Sequence, residues 1–187
     1  MERSVDFGHV QVVIDYDTGR VHCLIPADLG PSTASKASWG SAEHPAGLTA
    51  PRGMWRPAAA ASLAAVSLIK AAGSRETALR RIAGAMHTAT STARTPATHA
   101  QAASAVRAVR RAAWFSPART ACLEESAAVV LLLALGRRSV IWCHGVAPDP
   151  VRLHAWITTA DGIAVAEPAS TSAYTPVLTI GDHRDTA

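Results

Sequence analysis

The stretch ACLEESAAVVLLLALGRRSVIWCHGVAPDPVRLHAWITTADGIAVAE, residues 121–167, changes its period midway, and that change decides the fold. Ala121 to Leu135 is rich in Ala, Leu and Glu with no internal breaker, which specifies a helix that Gly136 stops. Beyond it, SVIWCHGV (139–146), VRLHAWITT (151–159) and GIAVAE (162–167) are short β-rich runs. Ala147-Pro148-Asp149-Pro150 and Ala160-Asp161-Gly162 separate them as turns, so the last part of the chain is expected to be antiparallel sheet.

Upstream, QAASAVRAVRRAAW (101–114) sets Ala102, Val106, Val109 and Ala113 on one face and Arg107, Arg110 and Arg111 on another. This is an amphipathic helix whose arginines are expected to be a solvated face, with Ser116-Pro117 interrupting it. His87 to His99 is rich in Thr and Ala with Pro96 inside it, an expected exposed connection, and a helix is expected from about Glu76 to Met86. Another runs from Pro57 to its stop at Gly73. Pro26 to Arg56 is Pro-, Gly- and Ser-rich without a sustained period, which reads as loop or linker. Before it, HVQVVIDY (9–16) and Arg20 to Ile25 flank the turn Asp17-Thr18-Gly19 as a β-hairpin. The expected organisation is a hairpin and flexible linker over 1–56 and an α+β domain over 57–187, helices first and antiparallel sheet last.

With 187 residues, 49% apolar and 17% charged, the chain suffices for one ordinary domain plus an appendage. Alanine is about a fifth of it and aromatics 5%, so the core is expected to be modest and helix-rich. The longest aliphatic run, Ala127 to Leu135, is roughly half of the ~20 residues a membrane span needs. MERSVDFGHVQVV lacks a basic start, an apolar stretch and a small-residue cleavage site, so the expected compartment is the cytoplasm. Cys23, Cys122 and Cys143 are three and not spaced as a disulfide framework. The net charge of +4 comes almost wholly from arginine and suits acidic peptides or nucleic acid without choosing between them.

A cysteine at a helix start, then a histidine on one strand and a carboxylate after it, is the order a thiol nucleophile needs. The helix dipole and an imidazolium stabilise the thiolate, and the carboxylate fixes the imidazole's tautomer and orientation. Cys122 and His154 are the first two candidates. Capping by Thr120 leaves Cys122 in the first turn; capping by Ser116 buries it one turn deeper. Asp161, in the turn, is over ~20 Å along the strand from His154 and cannot orient that ring. Glu167 depends on the loop. A two-residue Asp161-Gly162 loop pairs it with Trp156 on the face of His154, and a four-residue loop sets it opposite His154. A three-residue loop turns it to the wrong face.

Arg119-Thr120-Ala121-Cys122-Leu123-Glu124-Glu125-Ser126, then Gly136, Gly145-Val146, Pro150 and His154-Ala155-Trp156, resemble the lasso peptide B2 proteases of the transglutaminase-like cysteine peptidase superfamily. The resemblance covers about Pro57 to Ile180, and the order RxxCLxxS, HGV, HAW carries it. It implies a papain-like or transglutaminase-like core and a triad of Cys122, His154 and, at the family's aspartate position, Glu167. The glutamate is a departure, one methylene longer. It further implies removal of the leader from a ribosomal precursor peptide, with no metal or nucleotide required. The implied partners are the precursor, a leader-binding recognition-element protein and a separate ATP-dependent lasso cyclase. The hairpin is similar to the opening strands of such recognition elements, but no helical remainder follows in Pro26 to Arg56, so it is read as a candidate docking strand pair and not as a complete leader-binding domain.

Competing readings attach to the same residues. Cys122 also suits a small buried helix residue, His154 a histidine in an aromatic core, and Glu167 an exposed strand-end carboxylate. Cys143-His144 lacks any second pair at metal-ligand spacing, so Cys143 reads as strand packing and His144 as facing the cleft or solvent. The arginine face lacks the interleaved aromatics of a nucleic-acid surface, leaving solvent or an acidic leader as its contact. Trp114, Pro117 and Arg119 fix the start of the Cys122 helix. The alternatives to hydrolysis are thiol acyl transfer on the same fold and a non-catalytic scaffold that binds precursor or cyclase.

Overall fold

A computed structural model describes residues 1–25, 55–116, 120–148 and 150–181. The linker expected over Pro26–Arg56 lies outside the described residues, except that its last two residues open the first helix; Pro117 and Arg119 also lie outside them. The chain begins with an antiparallel meander of β1 (Glu2–Asp6), β2 (Gln11–Asp15) and β3 (Arg20–Leu24). The expected hairpin is β2 and β3, paired Asp15 to Arg20. β1 precedes it as a strand that sequence reading passed over, because ERSVD is almost wholly exposed and has no apolar alternation.

Val10, Val12, Ile14 and Tyr16 alternate along β2 and its flanks and are all buried. They join the same hydrophobic cluster as the helices and the second sheet, so this face is covered by the rest of the molecule.

Among the described residues four α-helices follow: α1 (Trp55–Ala71), α2 (Ala78–Thr92), α3 (His99–Trp114) and α4 (Cys122–Leu135). α4 is buried along most of its length, from Glu124 to Val130 and again at Leu132 and Leu133, and packs on α1, α2 and α3 and on the sheet. A helix with apolar residues all round belongs at the centre of a fold.

α2 corrects the expected connection at His87 to His99, for the helix continues to Thr92. Thr88, Thr90 and Thr92 donate their hydroxyls to carbonyls of their own helix, at Gly84, Met86 and Ala89, so these side chains are satisfied without leaving it. Ile82, Met86 and Thr90, four apart, keep one buried stripe. The Pro96 segment is β4 (Thr95–Pro96), which pairs in parallel with β5 (Arg138–Ser139). Thr98 and Gln101 then cap α3 reciprocally, at 3.0 and 3.3 Å.

The last sheet has β6 (Ile141–Pro148) at its centre, β7 (Val151–Thr158) on one side and β8 (Thr175–Ile180) on the other, all antiparallel. The architecture is α+β, helices first and antiparallel sheet last. The expected strand GIAVAE is not one. Only the bridge of Thr158 to Ala164 survives, and the third strand is TPVLTI instead. Ala166, at φ 54°, takes the chain out of extended conformation just as the ladder would reach the level of His154.

β6 crosses Trp156 and β8 closely at Gly145. A Cβ there would lie 2.7 Å from the Thr175 carbonyl oxygen and 2.7 Å from the Trp156 ring. Gly145→Ala is therefore expected to destabilise the fold by about 1–3 kcal/mol, read as a lower urea midpoint at unchanged m-value.

Candidate active site

Cys122 is the first residue of α4, with Ala121 as the residue before the helix. Neither Thr120 nor Ser116 is the cap, so the thiol gains the full end of the helix dipole. Ala121 has no side chain for capping. Instead Glu124 reaches back and accepts the Ala121 N–H at 3.0 Å, while its other oxygen pairs with Lys70 of α1. Thr120 donates its hydroxyl to Glu125 at 3.0 Å. Below the cysteine, Ser126 donates to the Cys122 carbonyl at 2.6 Å and accepts from the indole Nε1 of fully buried Trp142 at 2.8 Å. The serine of RxxCLxxS thus ties the Cys122 backbone to the sheet.

His154 lies on β7, opposite Gly145, with its ring stacked near Trp156 and against Tyr174. Its Nε2 meets Glu167 Oε2 at 2.8 Å, and the Cys122 side chain lies close enough to act on the same ring. Burial alone would lower the His154 pKa. The hydrogen bonds and charges of Cys122 and Glu167 outweigh it and raise the pKa to about 9.

The loop between His154 and Glu167 is the three-residue one. Thr159 and Ile163 pair across it, Thr158 faces Ala164 and the Val165 N–H bonds to the Ile157 carbonyl, so continued register would set Glu167 opposite Ala155. That is the arrangement expected to send the carboxylate to the wrong face. The glutamate reaches His154 because the ladder ends first: Ala166 sits in the left-handed region, and Glu167 leaves the strand altogether. Asp161 stays in the turn, where it accepts from Thr159.

Glu167 is almost entirely enclosed, its side chain 5% exposed, and is held from three sides. Besides His154, it accepts from Arg110 of α3 and, at 3.4 Å, from Thr171. Arg110 also donates to the Ala166 carbonyl and lies 4.0 Å from Glu125. This corrects the reading of the arginine face as solvated: Arg107 is exposed, but Arg110 is only 13% exposed and part of the site. Sequence spacing put Arg110 off the apolar stripe, and nothing in the local pattern shows that a charged loop closes over it.

His144 also departs from expectation. It faces neither cleft nor solvent but is buried, stacked on Trp142, with Tyr16 of the N-terminal meander at 2.7 Å from its Nδ1. Burial, and to a lesser degree the positive His154, lower its pKa to about 4. Cys143 packs with Ile141 and Trp156 in a small second cluster. Among the described residues, no group of three or more His, Cys, Asp or Glu is gathered to hold a metal ion.

A family model described as the transglutaminase-like superfamily matches residues 62–179, more than half of the chain. The chain belongs to the transglutaminase-like superfamily. Its members are typically cysteine hydrolases or transferases. The matched span of this transglutaminase-like chain contains Cys122, His154, Glu167, Arg110 and Ser126, whereas Tyr16 and the N-terminal meander lie before it. No curated protein and no solved structure matches the chain significantly. Among the described residues no helix is long and apolar enough to cross a membrane.

The two histidines titrate in opposite directions, which gives stability a peak. His154 binds its proton more tightly folded than unfolded, so its contribution is complete below pH 6.5 and lost as pH rises through about 9. His144 is held neutral, so its contribution is complete above pH 6.5 and lost as pH falls toward about 4. Each limb is on the order of 3 kcal/mol. Urea midpoints across this range are expected to peak near pH 6.5, with the alkaline limb flattened in His154→Gln and the acid limb in His144→Gln. An alkaline limb that persists in His154→Gln would refute its origin in that ring.

Proposed function

We propose that this transglutaminase-like chain is a cysteine peptidase that removes the leader from a lasso-type ribosomal precursor peptide. The observation that carries the catalytic part is the continuous contact from Cys122 through His154 to Glu167, with the thiol at a helix start. The resemblance of RxxCLxxS, HGV and HAW to the lasso B2 proteases carries the choice of substrate.

In this reading the Cys122 thiolate attacks the scissile carbonyl at the leader-core junction, and His154 gives its proton to the departing amine of the core. The thioester left on Cys122 is then hydrolysed by a water whose proton returns to His154. Glu167 holds the ring in the orientation that serves both steps. The Ala121 N–H is engaged by Glu124, so the oxyanion falls to the free first-turn N–H groups, that of Cys122 foremost. No metal or nucleotide enters these steps. The core, with its new N-terminal amine, passes to a separate ATP-dependent cyclase, and a recognition-element protein presents the leader. The peptidase domain is residues 57–187, the meander and linker of 1–56 its appendage, and the compartment the cytoplasm.

The first test needs no substrate. Alkylation of Cys122 by iodoacetamide, resolved from Cys23 and Cys143 by peptide mass, is expected to be fast below neutral pH and to revert to ordinary thiol behaviour in His154→Ala. With precursor and recognition protein present, Cys122→Ala is expected to abolish cleavage and Glu167→Gln to slow it by about 10²-fold or more. Product mass separates hydrolysis, which adds water, from transamidation, which adds the amine. Leader binding without any cleavage by the wild type would leave the scaffold reading in its place.

A further inference from the structure

We propose that Arg110 is the positioning residue that aims Glu167 at His154. The assignment rests on reading Cys122, His154 and Glu167 as one catalytic unit, and it explains how the glutamate joins that unit when strand register points it away. The register of Thr158 with Ala164 and Ile157 with Val165 would place Glu167 level with Ala155, on the other face from its neighbour His154. The chain escapes this register at Ala166, whose left-handed conformation has a cost for a residue with a Cβ and persists only where its surroundings hold it. Arg110 is what holds it: one guanidinium nitrogen donates to the Ala166 carbonyl and another to the Glu167 carboxylate.

The same guanidinium faces Glu125 of α4, whose other oxygen takes the Thr120 hydroxyl beside the start of that helix. A single planar group therefore fixes the carboxylate relative to the helix that carries the thiol. Lysine has the charge but not the planar fork, so it is expected to reproduce only part of this pair of bonds.

A positioning role and a bare counter-charge move His154 in opposite directions. The charged and titratable groups about the two side chains are Cys122 from α4, His144 from β6, Tyr174 before β8 and Glu167 for His154, and Glu125 and Glu167 for Arg110. Were Arg110 only a nearby cation, its removal would leave Glu167 in place and make His154 easier to protonate. If Arg110 aims Glu167, its removal frees the carboxylate, and His154 drops from about 9 toward its ordinary 6.5.

The test is the titration of the His154 ring by NMR, assigned against the His154→Gln spectrum, in wild type, Arg110→Met and Arg110→Lys. It is joined to a double-mutant cycle with Glu167→Gln, read as the rate of Cys122 alkylation at pH 6. Arg110→Met is expected to shift the His154 titration down and to slow alkylation by at least ~10-fold. In the Glu167→Gln background the same change is expected to stay within about twofold. Arg110→Lys is expected to recover only part of the loss, and it carries the test if Arg110→Met does not fold. A His154 titration that moves up or does not move, or losses that add in the double variant, would overturn the assignment. An alkylation profile indifferent to His154→Gln would instead remove the catalytic unit itself, and this assignment with it.

Discussion

A carboxylate with almost no access to water has to be paired, and the geometry of this molecule follows from how Glu167 meets that demand. Its two oxygens are divided between a guanidinium and an imidazole, so α3 and β7 are both bound to one short loop. The loop cannot be strand and also deliver the charge there. Ala166 takes the unusual backbone conformation and Pro168 leads into a 3-10 turn over Ala169–Ala173, from which Thr171 returns a hydroxyl to the same carboxylate.

The two histidines of the β6–β7 pair show how environment alone separates identical side chains. His154 has partners that favour its charge; His144, one step along the pair and on the other face, has an indole and a phenol beside it. Tyr16 supplies that phenol from the N-terminal meander, and burial pushes its own ionisation upward, so the pair is a neutral contact. Neutrality at His144 spares His154 a second positive neighbour. In this way a strand that lies before the family-matched span bears on the electrostatics of the candidate site.

The fold class was legible because its signals are local. Ala121 to Leu135 has helix-forming residues and a glycine stop, and the strands of Ile141–Pro148 and Val151–Thr158 have β-branched runs between turns. The placement of Cys122 at a helix start and of His154 on a strand was legible for the same reason, each set by its own element. What was not legible depended on partners distant in sequence. The threonines after Met86 read as loop until their hydroxyls find carbonyls within the helix. Arg110 reads as solvent-facing until a loop 56 residues later closes on it. Glu167 was found by counting along a strand that does not exist, and it reaches His154 by another path.

The candidate site is assembled from α3, α4, β7 and the loop after it, and this sets an order on its making. A ribosome delivers α4 with its cysteine well before β7, the Glu167 loop and β8, and Tyr16 waits for a residue 128 positions later. Contacts of such sequence separation close late and slowly. Until then the thiol has a helix end but no imidazole beside it. Late completion of the Cys122, His154 and Glu167 cluster is thus a property of the topology itself.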